Sequence, residues 1–406
     1  MSRDCPKTTE PEHTDPDPTY APMKTVRLGL IGLGNIGRHH ATYLQAGKVP
    51  RCELVAVCST TPAKMEAYRP LAAWTDARAL IASGTVDAVL VATPHYQHTD
   101  LGIAALEAGV HLMVEKPISA HKADALKLIA AHERHPKTVF GGMFQLRVEP
   151  RYQKLRSLIE SGELGRIVRV NWINTDWFRT DAYYASGGWR ATWAGEGGGV
   201  LLNQCLHNLD ILAWLLGLPS AVRAQVTLGR DHDIEVEDNV TAFLEYPSGA
   251  TGVFVASTGE APGTNRLELT GTRGRAVLED GKLRFIRNLC DMTEFSRTSK
   301  SGFAKPESWN VEIPFENADQ PHAQLMTNFT EAILEGRPLI APGRDGLASV
   351  ELANGMLYSG LIGQTVSLPL DAEAYARKLQ ELIAGSRFVK RTVAADASDF
   401  AASFRR

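Results

Sequence analysis

The residue pattern of this chain predicts an α/β fold with a doubly wound parallel sheet, followed by an α+β domain built on a large, mostly antiparallel, open-faced sheet. Three observations predict it. Residues 28–40 read LGLIGLGNIGRHH, an apolar strand that runs through a glycine-spaced turn into a helix. From residue 25 to about residue 142, near-continuous apolar strands alternate with helical stretches, the pattern of a parallel sheet covered on both faces. Beyond residue 220, strands follow one another across turns of a few residues, as antiparallel neighbours do.

The turn comes first. Gly32, Gly34 and Gly37 match G-x-G-x-x-G. The first glycine allows a tight turn, the second leaves room for a pyrophosphate, and the third lets the helix pack closely on the strand. The free N–H groups at the helix start, around Asn35 and Ile36, then face the anion. This predicts a Rossmann domain over residues 25–143 that binds NAD(P). Its strands are read at 26–31, 53–58, 86–92, 110–115 and 138–141, with helices near 35–46, 62–68, 76–83, 98–108 and 120–133.

Near residue 150 the pattern changes, and a substrate-binding and oligomerisation domain is read over residues 144–370. A helix at 152–161 leads to an extended stretch at 166–176, an aromatic-rich loop, and a helix over 199–216. Strands at 222–228, 239–246, 250–257, 266–270, 275–278 and 282–287 then form an antiparallel meander, and helices at 322–335 and 345–361 close the fold. One face of such a sheet packs on helices, and the other is free to pair subunits into a homodimer or homotetramer. Residues 1–24, rich in Pro, Asp, Glu and Thr, read as a disordered tail without the apolar core of a secretory signal. Residues 371–406 read as an amphipathic helix over 372–383 followed, from about Ser386, by either a second tail or an arm that docks on a neighbour.

Bulk properties narrow the function. The 406 residues carry a formal charge of −3 with both signs interspersed, which argues against a nucleic-acid or membrane partner and for a small-molecule substrate. Five cysteines, odd in number and without a C-x-x-C pair, suit a reducing, cytoplasmic setting and suggest neither a disulfide framework nor a metal site. The apolar run at 211–218 is far too short to span a bilayer.

The second strand bears on cofactor choice. In a dinucleotide fold an acid there binds the ribose 2′-hydroxyl. Here the strand ends in Val57-Cys58 and continues Ser59-Thr60-Thr61, with Lys64 close by. Hydroxyls and a cation accept a 2′-phosphate that a carboxylate would repel, so NADP is slightly favoured over NAD. The alternative is that Ser59 merely caps the next helix and both cofactors are accepted.

Ligands bind beyond the carboxyl ends of parallel strands, and one such end reads Val114-Glu115-Lys116-Pro117. Lys116 there can hold a substrate hydroxyl and lower its pKa. A second cluster runs from Gly197-Gly198-Gly199 to Asp210. On a helix, Asn203, His207, Asp210 and Trp214 share one face, either as a core network or as a wall of a polar pocket that the glycines open to a ligand.

These features together resemble the glucose–fructose oxidoreductase/inositol dehydrogenase (Gfo/Idh/MocA) family from Thr25 to about Leu370. The markers are the glycine turn, Thr93-Pro94-His95-Tyr96-Gln97-His98, Glu115-Lys116-Pro117, and the glycine run followed by His207 and Asp210. The resemblance implies hydride transfer at a sugar, glycoside or cyclitol carbon and dimers or tetramers formed through the open sheet. It implies Lys116 as the residue that positions and polarises the hydroxyl, His207 as general acid/base, and a cis Lys116–Pro117 bond. Thr93, Pro94, His98 and Glu115 fall on the cofactor side, His98 without a chemical role.

Many members carry Asp where this chain has Asn203, and an amide orients a hydroxyl without acting as a base. The loop over residues 176–196 resembles a sugar-site segment, with Trp177, Tyr183, Trp189, Arg190 and Trp193 as ring-stacking and hydroxyl-binding candidates. Gln145 and Arg147 match positions near nicotinamide and substrate. Some relatives instead run a redox-neutral lyase or glycosidase reaction on a retained cofactor, which stays as the alternative. A cofactor-sensing partner protein is disfavoured by the presence of both Lys116 and His207.

Overall fold

The computed structural model describes residues 24–392, so most of both predicted tails lies outside the described residues. The first half holds β1 (Val26–Ile31), α1 (Asn35–Gln45), β2 (Cys52–Cys58), β3 (Ala72–Trp74), α2 (Ala77–Ala82), β4 (Ala88–Val91), α3 (Tyr96–Glu107), β5 (His111–Val114), α4 (Lys122–Arg134) and β6 (Phe140–Gly142). All six strands pair in parallel in the order β3-β2-β1-β4-β5-β6. The order reverses between β1 and β4, which opens a crevice above their carboxyl ends. β4 is buried along its whole length, as a central strand covered on both faces must be.

The second half holds α5 (Pro150–Glu160), β7 (Ile167–Asn174), α6 (Asp181–Ala185), α7 (Leu206–Leu216), β8 (Ala221–Leu228), β9 (Glu237–Glu245), β10 (Thr251–Ser257), β11 (Asn265–Gly271), β12 (Gly274–Glu279), β13 (Lys282–Asn288), α8 (Met292–Thr298), β14 (Ser308–Ile313), α9 (Pro321–Glu335), α10 (Gly346–Ile362), β15 (Val366–Ser367) and α11 (Ala372–Gly385). Its sheet has nine strands in the order β14-β13-β12-β11-β7-β10-β9-β8-β15. Val170 and Trp172 of β7 and Phe254 of β10 point into the core, whereas Ile173 and Phe243 stand exposed on the opposite face.

Three expectations change. The sheet is not a simple meander, because β7 inserts between β10 and β11 and runs parallel to β10. The helix expected at 62–68 is two short 3₁₀ turns, Pro62–Lys64 and Glu66–Tyr68. The helix expected from residue 199 begins only at Leu206. β3, α6, α8, β14 and β15, short or exposed, are not legible in the sequence pattern.

The glycine turn shows why its residues must be glycine. Gly32 sits at φ +102°, where a Cβ would come within 2.5 Å of the Ala92 carbonyl oxygen. A Cβ on Gly37 would lie 1.9 Å from the carbonyl oxygen of Gly32, so α1 can approach β1 only without a side chain there. Gly34 faces open space instead. Replacing Gly37 with Ala forces backbone apart, and we expect a loss of about 3 kcal/mol or more in unfolding free energy, measurable as a lower urea midpoint, together with weakened dinucleotide binding.

Candidate active site

A cleft of about 1690 Å³ runs from the end of β2, over the glycine turn, to the loop that follows β7. Gly32, Gly34, Asn35 and Ile36 line its floor, while Gly37 sits behind them as a packing residue. α1 has no side-chain N-cap, so its first-turn N–H groups are left for an incoming acceptor. With the open space at Gly34, this cradle fits a dinucleotide pyrophosphate. Ser59, Thr60, Thr93, Pro94, His98, Glu115 and Lys116 line the cleft as well. Ser59 Oγ accepts the N–H of Thr61 at 3.2 Å. Lys64 and Arg78 stand on the same wall. The nearby Asp76 carboxylate is engaged in capping α2 through the N–H groups of Arg78 and Ala79.

The strand-end motif sits where β5 delivers it, and the Lys116–Pro117 bond is cis. Glu115 is buried and meets His40 of α1, with Nε2 2.6 Å from Oε1, and His40 Nδ1 lies 2.6 Å from the Tyr43 hydroxyl. Burial alone would raise the Glu115 carboxyl, but the His40 bond overrides it and holds the group at about 2. His98 spans the carbonyls of Thr93 and Pro117 at 2.7 and 2.6 Å and thereby braces the loop after β5. Lys116 Nζ donates to the Asn203 carbonyl at 2.8 Å. Burial pulls its ammonium down to about 8; Glu115 opposes this and Arg190 adds to it.

Residues 199–205 are turns rather than helix, for a local reason. The buried Glu237 carboxylate of β9 accepts the N–H of Gly199 at 2.9 Å and of Leu201 at 3.1 Å, and the Glu237 carbonyl accepts the N–H of Val200 at 2.9 Å. A Cβ on Gly199 would lie 2.0 Å from that carbonyl oxygen. The glycine run therefore admits the protein's own backbone and not a bulky ligand. Asn203 projects into the cleft from this turn, its amide bonded to Glu196 and 3.5 Å from the Tyr183 hydroxyl. His207 lies in the first turn of α7, with Nε2 3.3 Å from the Gln145 amide nitrogen. Burial first, then the Lys116 charge, pull its imidazole down to about 3, so the ring is neutral at neutral pH.

The single polar face expected on this helix splits in two. His207 faces the cleft, while Asp210 turns away to Arg147, which bonds it at 2.7 and 2.8 Å and reaches Asp345 at 2.8 Å. Arg147 is 3% exposed and does not line the cleft; as a buried tie between α7 and the segment before α10, it is corrected from substrate ligand to structural residue. Trp193 is corrected likewise. Its ring is buried in the core, its carbonyl accepts the Tyr96 hydroxyl at 2.8 Å and its N–H reaches Glu235. Trp177, Tyr183, Trp189 and Arg190 do line the cleft.

Sequence reading missed Arg179, Gln204 and Asn208 in the cleft wall and the His40–Glu115 pair. Arg179 stands inside the aromatic loop already singled out, so that loop was the available signal. Nothing local marks a pair 75 positions apart. Cys52, Cys58, Cys205 and Cys290 form no disulfide, and no cluster of three or more potential metal ligands occurs among the described residues. No helix among them is long and apolar enough to cross a membrane.

Comparison with known proteins agrees with this architecture. The NAD-binding Rossmann fold of the GFO/IDH/MocA oxidoreductase family matches residues 26–143, and the GFO/IDH/MocA C-terminal domain matches residues 152–277. The chain belongs to the GFO/IDH/MocA family of oxidoreductases. An inositol 2-dehydrogenase of Rhizobium meliloti is 27% identical over 346 residues, 82% of this chain and 97% of that protein. A myo-inositol 2-dehydrogenase of Thermotoga maritima is 27% identical over 269 residues, 63% and 75% of the two chains. The WlbA dehydrogenase of Chromobacterium violaceum, solved with NADH and UDP-GlcNAcA, superposes with a TM-score of 0.74 at 28% identity, covering 87% of this chain and 100% of its own.

The Arg147–Asp210 pair is 3% and 1% exposed on its two sides. Replacing Arg147 with Met strands a buried carboxylate, which we expect to cost about 3–5 kcal/mol of stability. Thermal and urea unfolding would read it, and NADH affinity should change far less than stability does.

Proposed function

We propose that this protein is an NAD(P)-dependent dehydrogenase acting on a secondary hydroxyl of a sugar, glycoside or cyclitol, with Lys116, His207 and Asn203 doing the chemistry of the hydroxyl. The observation that carries this reading is the convergence of a cationic Lys116 and a neutral His207 at the cofactor end of one cleft. The inositol and sugar-nucleotide dehydrogenases among its relatives support the substrate class. They do not favour the redox-neutral lyase or glycosidase alternative.

When bound, the nicotinamide supplies the hydride acceptor. The protein's own groups handle orientation and the proton. Lys116, held by the Asn203 carbonyl, presents its remaining N–H donors to the reacting oxygen and stabilises the charge that develops there. His207, neutral in the free protein, has an imidazole nitrogen available to take the hydroxyl proton. Asn203 cannot serve as a base, and its amide is committed to Glu196, so it orients rather than titrates. The same geometry serves reduction of a ketone, with protonated His207 returning the proton.

At the adenosine end, we read Ser59, Thr60, Lys64 and Arg78 as a seat for a 2′-phosphate, with NADP preferred over NAD. The exposed face carrying Ile173 and Phe243 is our candidate for pairing with a second copy of the chain.

His207→Ala and Lys116→Met should each lower kcat by roughly 10²–10⁴-fold while NADH still binds. Turnover unchanged in both variants would remove these roles. With Lys116 near 8, kcat/KM for oxidation should fall as pH rises through that value because the ammonium is lost, and Lys116→Arg should abolish that alkaline limb. Ser59→Asp keeps an acceptor for the Thr61 N–H but adds a charge. It should shift the NADP-to-NAD ratio of kcat/KM toward NAD by roughly 10–100-fold.

A further inference from the structure

The substrate wall of the cleft holds two guanidinium groups that the dehydrogenase chemistry leaves unused. Arg179 precedes α6 and Arg190 follows it, and both line the cleft. The Arg179 Cζ lies 5.4 Å from the Trp177 ring centre and 5.0 Å from that of Tyr183, and the Arg190 Cζ lies 4.7 Å from those of Tyr183 and Trp189. Stacking of this kind covers guanidinium faces and leaves the N–H edges to bond in the ring plane.

Those edges are poorly used. Arg190 Nη1 donates to the Tyr183 hydroxyl at 2.8 Å. Arg179 Nη1 donates to the neighbouring Phe178 carbonyl at 2.9 Å, and its Nε is buried without a hydrogen-bond partner. Arg147, buried in the core, is by contrast paired with two carboxylates. Charged groups in closed sites need a counter-charge.

Two acids stand near this wall. Asp176 lines the cleft, but its Oδ2 accepts from Asn265. Glu196 is buried behind the wall, with its oxygens taken by the Ala191 N–H and the Asn203 amide; burial raises its carboxyl above the usual range, and the Arg190 charge opposes this without a direct bond. Lys116 and Lys390 add further positive charge, Lys390 donating to the Tyr184 carbonyl. The pyrophosphate cradle lies at the glycine turn, away from this wall. The backbone of Arg179 is pinned on both sides. Its N–H bonds the Thr258 carbonyl at 2.9 Å, and its own carbonyl accepts from His232 at 2.9 Å, which Asp238 holds in turn. The wall is thus built and cationic.

Resting on the dehydrogenase reading, we propose that the substrate ring carries an anionic group, a carboxylate or a phosphate, which Arg179 and Arg190 grip. The bidentate geometry of a guanidinium suits either oxyanion, and the Tyr183 hydroxyl between the two arginines links the anion site to Asn203 and Gln204 beside Lys116.

The test compares matched substrates: glucuronate and galacturonate, then glucose 6-phosphate, against glucose and galactose. Cofactor reduction and calorimetric binding to the NADH-loaded protein are both followed. We expect one anionic class to exceed its neutral counterpart in kcat/KM by on the order of 100-fold, and Arg179→Gln and Arg190→Gln each to cut that ratio roughly 10–100-fold, with Arg190→Lys in between. Uronates or phosphates winning identifies the oxyanion. Neutral sugars doing as well as the anions, or a ratio unmoved by the arginine variants, overturns the proposal. If NADH binds and nothing is oxidised, the dehydrogenase reading fails on its own. Binding then decides this one: arginine-dependent anion affinity supports it, and none refutes it. NADH affinity in each variant reports that the chain is folded.

Discussion

The site depends on one buried carboxylate that touches no cofactor and no substrate. Glu237 gathers two backbone N–H groups from residues 199–201 and so prevents the chain from entering α7 early. An ordinary helix start at Gly199 would have carried Asn203 away from the cleft or drawn Asp210 into it. The turn instead delivers the Asn203 carbonyl to Lys116, and that hydrogen bond joins the end of a parallel strand to a turn anchored on β9 of the nine-stranded sheet. The carboxyl of Glu237 is itself pushed up to about 7 by burial, with the two N–H groups opposing. The segment carrying Asn203 is therefore held by an anchor that is costly to bury and repaid by fixing the backbone of several residues.

The division of charge follows from this arrangement. Glu115 is kept ionised by His40, Lys116 is easily discharged, and His207 is kept neutral. All three are shifted downward, which leaves Glu115 charged, His207 uncharged and Lys116 close to releasing its proton, so donor and acceptor are separated near neutral pH.

Sequence reading reached the parallel sheet, the glycine turn and the strand-end lysine, because each is written in contiguous residues: apolar runs, glycine spacing, and a Lys-Pro pair after a strand. It misplaced what depends on distant partners. Asn203 was set on a helix because helical spacing was satisfied, and nothing in residues 199–205 reveals a carboxylate arriving from position 237. Arg147 is read beside the substrate by likeness to a family position; only the fold brings Asp210 and Asp345 around it. Trp193 was grouped with ligand-stacking aromatics on composition, although one residue of rotation decides whether a loop ring faces a pocket or a core. The insertion of β7 was invisible for the same reason, since hydrophobic alternation specifies a strand but not its neighbours.

That insertion has a bearing on how the molecule is made. The six parallel strands are complete by Gly142 and grow from successive βα units, so their pairing partners emerge close together. β7 must wait, since the edges it occupies are formed by residues 251–256 and 265–271. Until those are synthesised, an apolar strand with Val170 and Trp172 has no sheet to join. During translation the cofactor half can thus be finished while the substrate half still exposes its central strand, and long-range closure of this kind is slow and open to mispairing. The half with the parallel sheet is the natural folding platform for the half with the nine-stranded one.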